Sequence, residues 1–328
     1  MRALSGIKPT GILHIGNYLG AARQFEEMQQ KSYQGFYFIA DYHTLNMVPD
    51  PEKLSENTWN VVIDYLAFGL DPEKTVLFLQ SQVPEVVELA FILGNVTPMG
   101  LLQRSHSYKD HIEKGESINV GLFYYPLLMT ADILLYDADI VPVGRDQKQH
   151  VEIARDIAEK FNMSYDTDIL KLPEPYIPDE VAVVPGRDGR KMSKSYGNTI
   201  EMFAPKKVLK KQIMSIKTDS TPLEEPKNPD KCNVFKIYSL FAEAEDISRM
   251  REKYEKGGFG YGHAKKELAL LIEDYFAPMR KLRAELEKNP SYVRKIIDEG
   301  SKKAREEAIE KIRQVKKVTG IQGNIYTP

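Results

Sequence analysis

The run GFYFIA, from Gly35 to Ala40, decides the fold. It is short and almost entirely apolar, which is typical of a strand covered on both faces of its sheet. Two similar runs flank it along the chain, at Ala3–Ser5 and at TVLFLQ, Thr75–Gln80. The stretches between these runs, Asn17–Gln29 and Lys53–Phe68, repeat apolar residues at helical spacing. Alternating strands and helices predict an α/β protein with a doubly wound parallel sheet.

Ligands bind to such a sheet beyond the carboxyl ends of its strands. The segments Gly6–Asn17 and Asp41–Leu45 follow two of the predicted strands and are therefore expected there. Further along the chain we predict helices at Pro84–Gly94, Ile118–Tyr136 and Asp146–Phe161, and a strand at Ile140–Val143. Leu170–Arg190 contains four prolines and two glycines, so it is predicted to be a connector without regular structure.

Beyond residue 197 the pattern changes to amphipathic helices. These are predicted at Pro205–Thr218, Asn233–Phe241, Ile247–Tyr254, Lys265–Lys288 and Ser291–Val318. We therefore predict a catalytic domain at 1–196 with connecting helices, an all-helical domain at 197–295, and a C-terminal helix at 296–328. One arrangement open to this last helix is to pack back on the first domain.

Composition limits the class of protein. With 328 residues, of which 42% are hydrophobic, the chain can bury substantial cores. No apolar run approaches the ~20 residues of a membrane span and no cleavable signal is visible, so we expect a cytoplasmic protein with no membrane partner. The lone cysteine, Cys232, excludes an intrachain disulfide. A net charge of −2 gives no overall attraction to nucleic acid, so an RNA partner would need a locally basic surface.

Two short motifs are suited to phosphate chemistry. PTGILHIGN, Pro9–Asn17, leads from a strand into a helix N-terminus, whose free N–H groups favour anions. His14 and Asn17 can donate to phosphate oxygens, and Gly16 lets a nucleotide approach the backbone. KMSKS, Lys191–Ser195, can aim two ammonium groups at charge that grows in a transition state. The alternatives are a plain strand-to-helix turn and a solvated lysine loop.

A third feature is an isolated acid. Asp132 lies within YYPLLMTADILLY, Tyr124–Tyr136, where almost every neighbour is apolar. A buried carboxylate would accept a hydrogen bond from an aromatic ligand that carries an N–H donor. The alternative is a structural acid paired within the protein, which is the commoner role of a buried carboxylate.

HIGN and KMSKS together resemble the two signatures of class I aminoacyl-tRNA synthetases. MTADILLY with VPVGRDQKQH resembles the tryptophanyl-tRNA synthetases of bacterial type, and this resemblance extends from Leu4 to Thr319. It implies a Rossmann-type catalytic domain and an anticodon-binding helical domain in a homodimer. The implied reaction joins L-tryptophan to ATP, giving tryptophanyl-adenylate and pyrophosphate, and then transfers tryptophan to tRNA(Trp). Mg²⁺ is expected to enter with ATP.

The resemblance also implies roles for individual residues. For catalysis these are His14, Asn17, Lys191 and Lys194. For ATP binding they are Lys8, Pro9, Thr10, Gly16, Asn17, Gly144, Arg145, Asp146, Val183, Lys191, Met192, Ser193, Lys194 and Ser195. For tryptophan binding they are Asp132, which accepts the indole N–H, with Tyr125, Met129, Val141, Val143 and Gln147. No metal-binding residues are implied.

The chain departs from the family pattern at a few positions. The family often has glutamine where Lys8 stands and glutamate where Arg145 stands, so the charge of the nucleotide site is altered. Lys109 and Lys114 both remain candidates for an ATP-loop lysine. Some relatives hold an iron–sulfur cluster with four cysteines, but this chain has GGFGYGH at Gly257–His263, so that cluster is expected to be absent.

Other residues could lie beside the active site or contact tRNA, and two alternative functions remain open. Asp41 and His43 resemble a DxH element near the family's active site. Two sets of basic residues could meet tRNA, although solvated helix faces are the alternative. They are Lys206, Lys207, Lys210, Lys211 and Lys217, and in the terminal helix Lys302, Lys303, Arg305, Lys311, Arg313, Lys316 and Lys317. The rival functions are a tyrosyl-tRNA synthetase and a nucleotide-binding paralogue that does not aminoacylate.

Overall fold

The strands lie where the apolar runs predict them, and one more is present. In a computed structural model of the chain, residues 1–31, 33–47, 50–115, 117–144, 147–177 and 184–321 are described. The strands are β1 Arg2–Ile7, β2 Gln34–Ile39, β3 Thr75–Leu79, β4 Ile140–Pro142 and β5 Glu174–Tyr176. Arg145, Asp146 and Val183 lie outside the described residues.

The helices follow in chain order. They are α1 Ile15–Asn17, continued by a π-helical turn at Tyr18–Ala22, α2 Arg23–Gln30, α3 Asp41–Thr44, α4 Pro51–Ala67, α5 Glu85–Gly94, α6 Met99–Gln103, α7 His106–Glu113, α8 Val120–Leu134, α9 Lys148–Ser164, α10 Lys206–Met214, α11 Asn233–Tyr238, α12 Ala244–Lys256, α13 Tyr261–Tyr275, α14 Ala277–Glu287 and α15 Pro290–Thr319. Within the described ranges, no helix is long and apolar enough to cross a membrane.

The sheet has the strand order β3-β2-β1-β4-β5, and every neighbouring pair is parallel. Phe36 and Tyr37, neighbours in the run that predicted β2, point to opposite faces of the sheet and are both buried, because helices cover the two faces. The predicted doubly wound α/β sheet is therefore confirmed. Lys8 and Gln80 directly follow the carboxyl ends of β1 and β3, and Asp41 lies two residues after the end of β2, so these three segments meet at one edge.

The prediction that Leu170–Arg190 is only a connector was wrong. Glu174–Tyr176 forms β5, and Val141 of β4 pairs with Pro175. Proline cannot donate to a ladder, so it is tolerated only at a sheet edge, and β5 lies at that edge. A three-residue strand built around proline has no apolar alternation by which the sequence could reveal it.

The predicted helix Lys265–Lys288 is in fact two helices, α13 and α14. Phe276 separates them, and Pro278 occupies the first turn of α14. Proline lacks the N–H that a continuous helix would need at this position, but it is well suited to a first turn. The short helices α3, α6 and α7 were not predicted, because fewer than three turns carry too little periodicity.

The chain divides into two compact units. Unit 1 consists of Met1–Gly11, Gln24–Asp179 and Asn289–Pro328, and unit 2 of Ile12–Arg23 and Glu180–Lys288. In unit 1, α15 contributes Ala304 and Ile312 to the same core as Phe36 of β2. In unit 2, the ring of Tyr18 lies 5.1 Å from that of Phe276.

Candidate active site

The HIGN motif in unit 2 is bonded to the segment that follows KMSKS. The backbone N–H of Ile15 donates to the carbonyl of Ile200 at 3.0 Å, and His14 forms a β-bridge with Glu201. The backbone N–H of His14 donates to Oδ1 of Asn17 at 3.1 Å. These bonds hold the motif at the first turn of α1, where unpaired N–H groups accumulate.

Gly16 brings the two motifs into contact. A Cβ atom at this position would lie 3.0 Å from Nδ1 of His14 and 3.6 Å from Cβ of Met192 in KMSKS. A side chain would therefore crowd the imidazole, while glycine leaves the backbone open on this side. The structure thus brings together His14, Gly16 and Met192.

The surroundings of His14 determine its charge. The ring is buried, and Nδ1 has no hydrogen-bond partner among the described residues. Burial, and secondly the positive charge of Lys194, lower the pKa of His14 to about 4. The imidazole is therefore neutral at pH 7. It can still donate one N–H to a phosphate oxygen, but it does so without a full positive charge.

Asn198 holds the KMSKS loop in shape. Its Oδ1 accepts from the N–H of Ser193 at 2.8 Å, and its Nδ2 donates to the carbonyl of Lys191 at 3.1 Å and to Asp188 at 2.7 Å. The backbone N–H of Met192 donates to the carbonyl of Val184 at 2.9 Å, with the methionine side chain buried. Lys191 and Ser195 are exposed, whereas Ser193 and Lys194 are half-buried.

In unit 1 the acid Asp132 has two protein partners. It is 3% exposed on α8, and its Oδ2 lies 2.8 Å from Nε2 of His43. The amide of Gln80 donates to Oδ1 at 2.8 Å and to Oδ2 at 3.0 Å. Burial raises the pKa of Asp132, and the hydrogen bonds from His43 and Gln80 oppose that rise.

The turn that follows β3 provides hydrogen-bond donors to two acidic residues, Asp132 and Asp41. While Gln80 bonds to Asp132, the neighbouring Ser81 donates from its backbone N–H to Asp41 at 3.0 Å and from its hydroxyl to the other oxygen of Asp41. Asp41 begins α3, which also carries His43. The DxH element and Asp132 therefore form one hydrogen-bonded assembly.

Tyr125 lies on the same helix as Asp132. Its hydroxyl is 2.5 Å from Nε2 of His150, and its ring centroid is 6.4 Å from that of His43. The ammonium group of Lys8 lies 5.5 Å from the Tyr125 ring centroid, within cation–π range. Lys8 and Tyr125, which the sequence assigns to different ligands, are thus neighbours.

The remaining predicted residues occupy varied positions. Met129 and Val143 are half-buried against the main core, whereas Val141 is 3% exposed within it. The backbone N–H of Gln147 donates to the carbonyl of Gly144 at 2.9 Å, and that of Thr10 to the carbonyl of Lys8 at the same distance, beside the buried Pro9. Lys109 and Lys114 are exposed on and after α7.

Three residues of this site were missed from the sequence. Gln80 is the polar last residue of TVLFLQ, and His150 ends VPVGRDQKQH, so both stood within quoted motifs without an assigned role. Asn198 lies three residues after the end of KMSKS. For metals, no group of three or more histidine, cysteine, aspartate or glutamate residues comes together anywhere in the part of the chain that the structure describes.

Comparisons with known proteins agree with this geometry. The family model of tRNA synthetases class I (W and Y) matches residues 1–277. The chain is 61% identical over 325 residues to the tryptophan--tRNA ligase of Fusobacterium nucleatum, covering 99% of both chains. It is 50% identical to that of Rhodopirellula baltica, covering 98% of this chain and all of the relative.

A solved structure gives the same result. The tryptophanyl-tRNA synthetase of Campylobacter jejuni, complexed with ADP and tryptophan, is 52% identical, with a TM-score of 0.91 over 98% of this chain and 100% of its own. Sequence and fold therefore agree over nearly the whole length. The chain belongs to the class I tRNA synthetases of the tryptophan and tyrosine group.

Proposed function

We propose that the chain is a tryptophan--tRNA ligase. A carboxylate oxygen of L-tryptophan attacks the α-phosphorus of ATP, the bond to the β-phosphate breaks, and tryptophanyl-adenylate and pyrophosphate form. The 2'-hydroxyl of the terminal adenosine of tRNA(Trp) then displaces AMP. The observation that carries this proposal is Asp132, a buried carboxylate that is positioned to accept a hydrogen bond, in a chain that also has both nucleotide motifs. Cytoplasmic translation is the expected setting.

The amino acid is selected by unit 1. Indole nitrogen is only a donor, so the Asp132 carboxylate suits it, and an analogue without the N–H would leave a buried acceptor unpaired. Such a loss can support discrimination of roughly 10⁴ to 10⁵ without editing. Tyr125 and Gln147 bind the α-amino group, while Met129, Val141 and Val143 support the ring.

The phosphates are bound by charge and by backbone. His14 and Asn17 donate hydrogen bonds, and Lys191 and Lys194 stabilise the negative charge that grows on the leaving pyrophosphate. Mg²⁺ enters with ATP. The other proposed ATP contacts are Lys8, Pro9, Thr10, Gly16, Gly144, Met192, Ser193 and Ser195, together with Arg145, Asp146 and Val183 outside the described residues.

For tRNA(Trp) we favour the basic face of α10 in unit 2, the unit to which anticodon binding is assigned. Lys207, Lys210 and Lys211 are exposed and have no acidic partner among the described residues. In α15, by contrast, several of the basic residues are paired within unit 1. Arg305 pairs with Glu85 at 3.0 Å, and Lys316 with Glu88 at 2.6 Å. The unpaired α10 lysines are better placed to neutralise phosphates.

A homodimer is the proposed assembly. Val87 and Phe91 lie one turn apart on α5 and are 46% and 72% exposed. Two large apolar side chains on one helix face are typical of a surface that another subunit covers.

The experiment that tests the function is amino-acid-dependent exchange of pyrophosphate into ATP. Tryptophan should support exchange and tyrosine should not. Asp132→Asn should raise the KM for tryptophan by roughly 10- to 100-fold, the loss of one hydrogen bond to a charged group, while the KM for ATP stays near that of the parent. Exchange with tyrosine alone would identify a tyrosyl enzyme, and ATP binding without any exchange would identify a non-aminoacylating paralogue.

A matched control separates recognition from folding. Asp64 is another acid of unit 1 that is 3% exposed, on α4. Asp64→Asn should leave the KM for tryptophan unchanged. If both variants affect tryptophan and ATP alike, Asp132 is a structural acid and its proposed role in selection is wrong.

A further inference from the structure

We propose that His43 and Gln80 form a clamp that orients the Asp132 carboxylate and leaves a single acceptor position, on Oδ1, for the ring N–H of the amino acid. His43 and Gln80 are thus positioning residues that act through Asp132. The inference rests on the proposed function. It adds to it the two residues that determine how the selective acid is presented.

Most acceptor positions of the Asp132 carboxylate are already occupied. An ionised carboxylate offers about four lone-pair positions, two on each oxygen. Oδ2 accepts from His43 at 2.8 Å and from Gln80 at 3.0 Å, whereas Oδ1 accepts, among the residues that the structure describes, from Gln80 alone at 2.8 Å. Three positions are filled, and the fourth is on Oδ1. A donor that approaches Asp132 therefore finds one oxygen already saturated.

The two donors to Asp132 are themselves held in place by buried surroundings and neighbouring hydrogen bonds. Gln80 is 1% exposed in the turn after β3, and the next residue, Ser81, is bonded to Asp41. His43 is 7% exposed on α3, where the following Thr44 donates from its hydroxyl to the carbonyl of Ala40 at 2.8 Å. Because separate elements provide the two donors, the carboxylate cannot rotate without breaking a buried hydrogen bond.

The clamp also favours the ionised form of Asp132. A buried carboxyl tends to take up a proton, and burial does raise the pKa of Asp132. His43 and Gln80 oppose this by donating to the ionised form, while the charge of the nearby Asp41 acts in the other direction. Burial, and secondly the charge of Asp132, raise the pKa of Tyr136, which follows α8. Without the clamp, the acid would be protonated at a higher pH and lose its full value as an acceptor.

The test compares tryptophan with β-(3-benzothienyl)-L-alanine, an isosteric amino acid in which sulfur replaces the ring N–H. Pyrophosphate exchange is measured with each substrate for the full-length parent, Gln80→Met and His43→Leu. His43→Gln restores a donor near the position of Nε2 and serves as the conservative variant. Gln82→Met is the control, because Gln82 is exposed in the same turn as Gln80.

We expect the preference for tryptophan over the analogue, as kcat/KM, to fall by roughly 10-fold or more in Gln80→Met and His43→Leu. His43→Gln should recover much of it, and Gln82→Met should match the parent. In Gln80→Met the KM for tryptophan should also begin to rise at a higher pH as the medium is acidified, because the pKa of Asp132 is no longer opposed by that donor. A merely structural defect would lower kcat/KM equally for both substrates and would leave the pH dependence of the KM for tryptophan unchanged.

Equal losses of kcat/KM for the two substrates, with an unshifted pH profile of the KM for tryptophan, would overturn the proposed clamp. Thermal unfolding of each variant identifies any that fail to fold, in which case the His43→Gln and His43→Leu comparison decides the question. Failure of the proposed function is a separate result, since the parent enzyme itself would then show no tryptophan-dependent exchange.

Discussion

At the scale of single residues, His14 combines a buried position with a neighbouring cation. Burial and then Lys194 lower its pKa to about 4 from an ordinary value of 6.5. The sign follows from the charge: both effects penalise the imidazolium form, so the ring stays neutral down to about pH 4. In the proposed ATP site, the positive charge beside the phosphates is therefore provided by cations such as Lys8, Lys191 and Lys194 and not by this histidine.

NMR titration of the His14 ring tests this directly. In the parent the ring should titrate near pH 4, and in Lys194→Met its pKa should rise because one of the two causes has been removed. Lys217→Met provides the control, since Lys217 is an exposed lysine of the same unit that is not among the causes of the shift. A ring that titrates near 6.5 in the parent would contradict the buried, cation-facing environment.

Individual residues of the candidate site could be predicted from the sequence only in part. The burial of Asp132 was predictable, because an acid in an apolar helix is conspicuous in the sequence. Its partners were not, because His43 is 89 positions away and Gln80 is 52, and only the fold brings them together. Asn198 illustrates the same limit at short range, since its role depends on a side-chain bond pattern within a loop.

At the scale of elements, the KMSKS loop is held by the side chain of Asn198. Asn198→Ala removes the bonds to Ser193, Lys191 and Asp188. We expect kcat for pyrophosphate exchange to fall by about 10-fold, the effect of losing roughly 1.4 kcal/mol of lysine positioning, while the KM for tryptophan is unchanged. Steady-state exchange kinetics measure both quantities.

Asn228→Ala is the matched control for this loop. Asn228 also bonds to backbone in unit 2, where its side chain accepts from the N–H of Asp230 at 2.9 Å, but it lies outside the motif. Removal of the Asn228 side chain should destabilise this turn by about 1 kcal/mol and leave the rate of pyrophosphate exchange unaffected. Similar kinetic losses in both variants would mean that Asn198 supports unit 2 in general rather than the loop.

Element prediction succeeded where burial left a pattern and failed where it did not. GFYFIA predicted β2 because both faces of that strand are covered. Glu174–Tyr176 escaped prediction because an edge strand of three residues needs no apolar run. The break between α13 and α14 depends on Pro278, which a helical periodicity alone passes over.

At the scale of the whole molecule, the chain returns to its starting unit. After unit 2, α15 packs against the sheet of unit 1, with Ala304 and Ile312 in the core. Gly300 faces β3 so closely that a Cβ atom there would overlap the carbonyl oxygen of Leu77. This 30-residue helix can therefore pack closely against β3 only because residue 300 is a glycine.

Gly300→Ala tests that dependence. Alanine is the better helix former by about 1 kcal/mol, yet here the added methyl group must push α15 away from β3, and we expect a net loss of about 1–3 kcal/mol in the free energy of unfolding. Gly262→Ala on α13 is the control, because no described heavy atom beyond its chain neighbours and its own helix backbone lies within 4 Å of the added Cβ. It should be neutral or stabilising. Chemical denaturation of both variants measures the difference, and an equally stable Gly300→Ala would show that α15 is not seated by this contact.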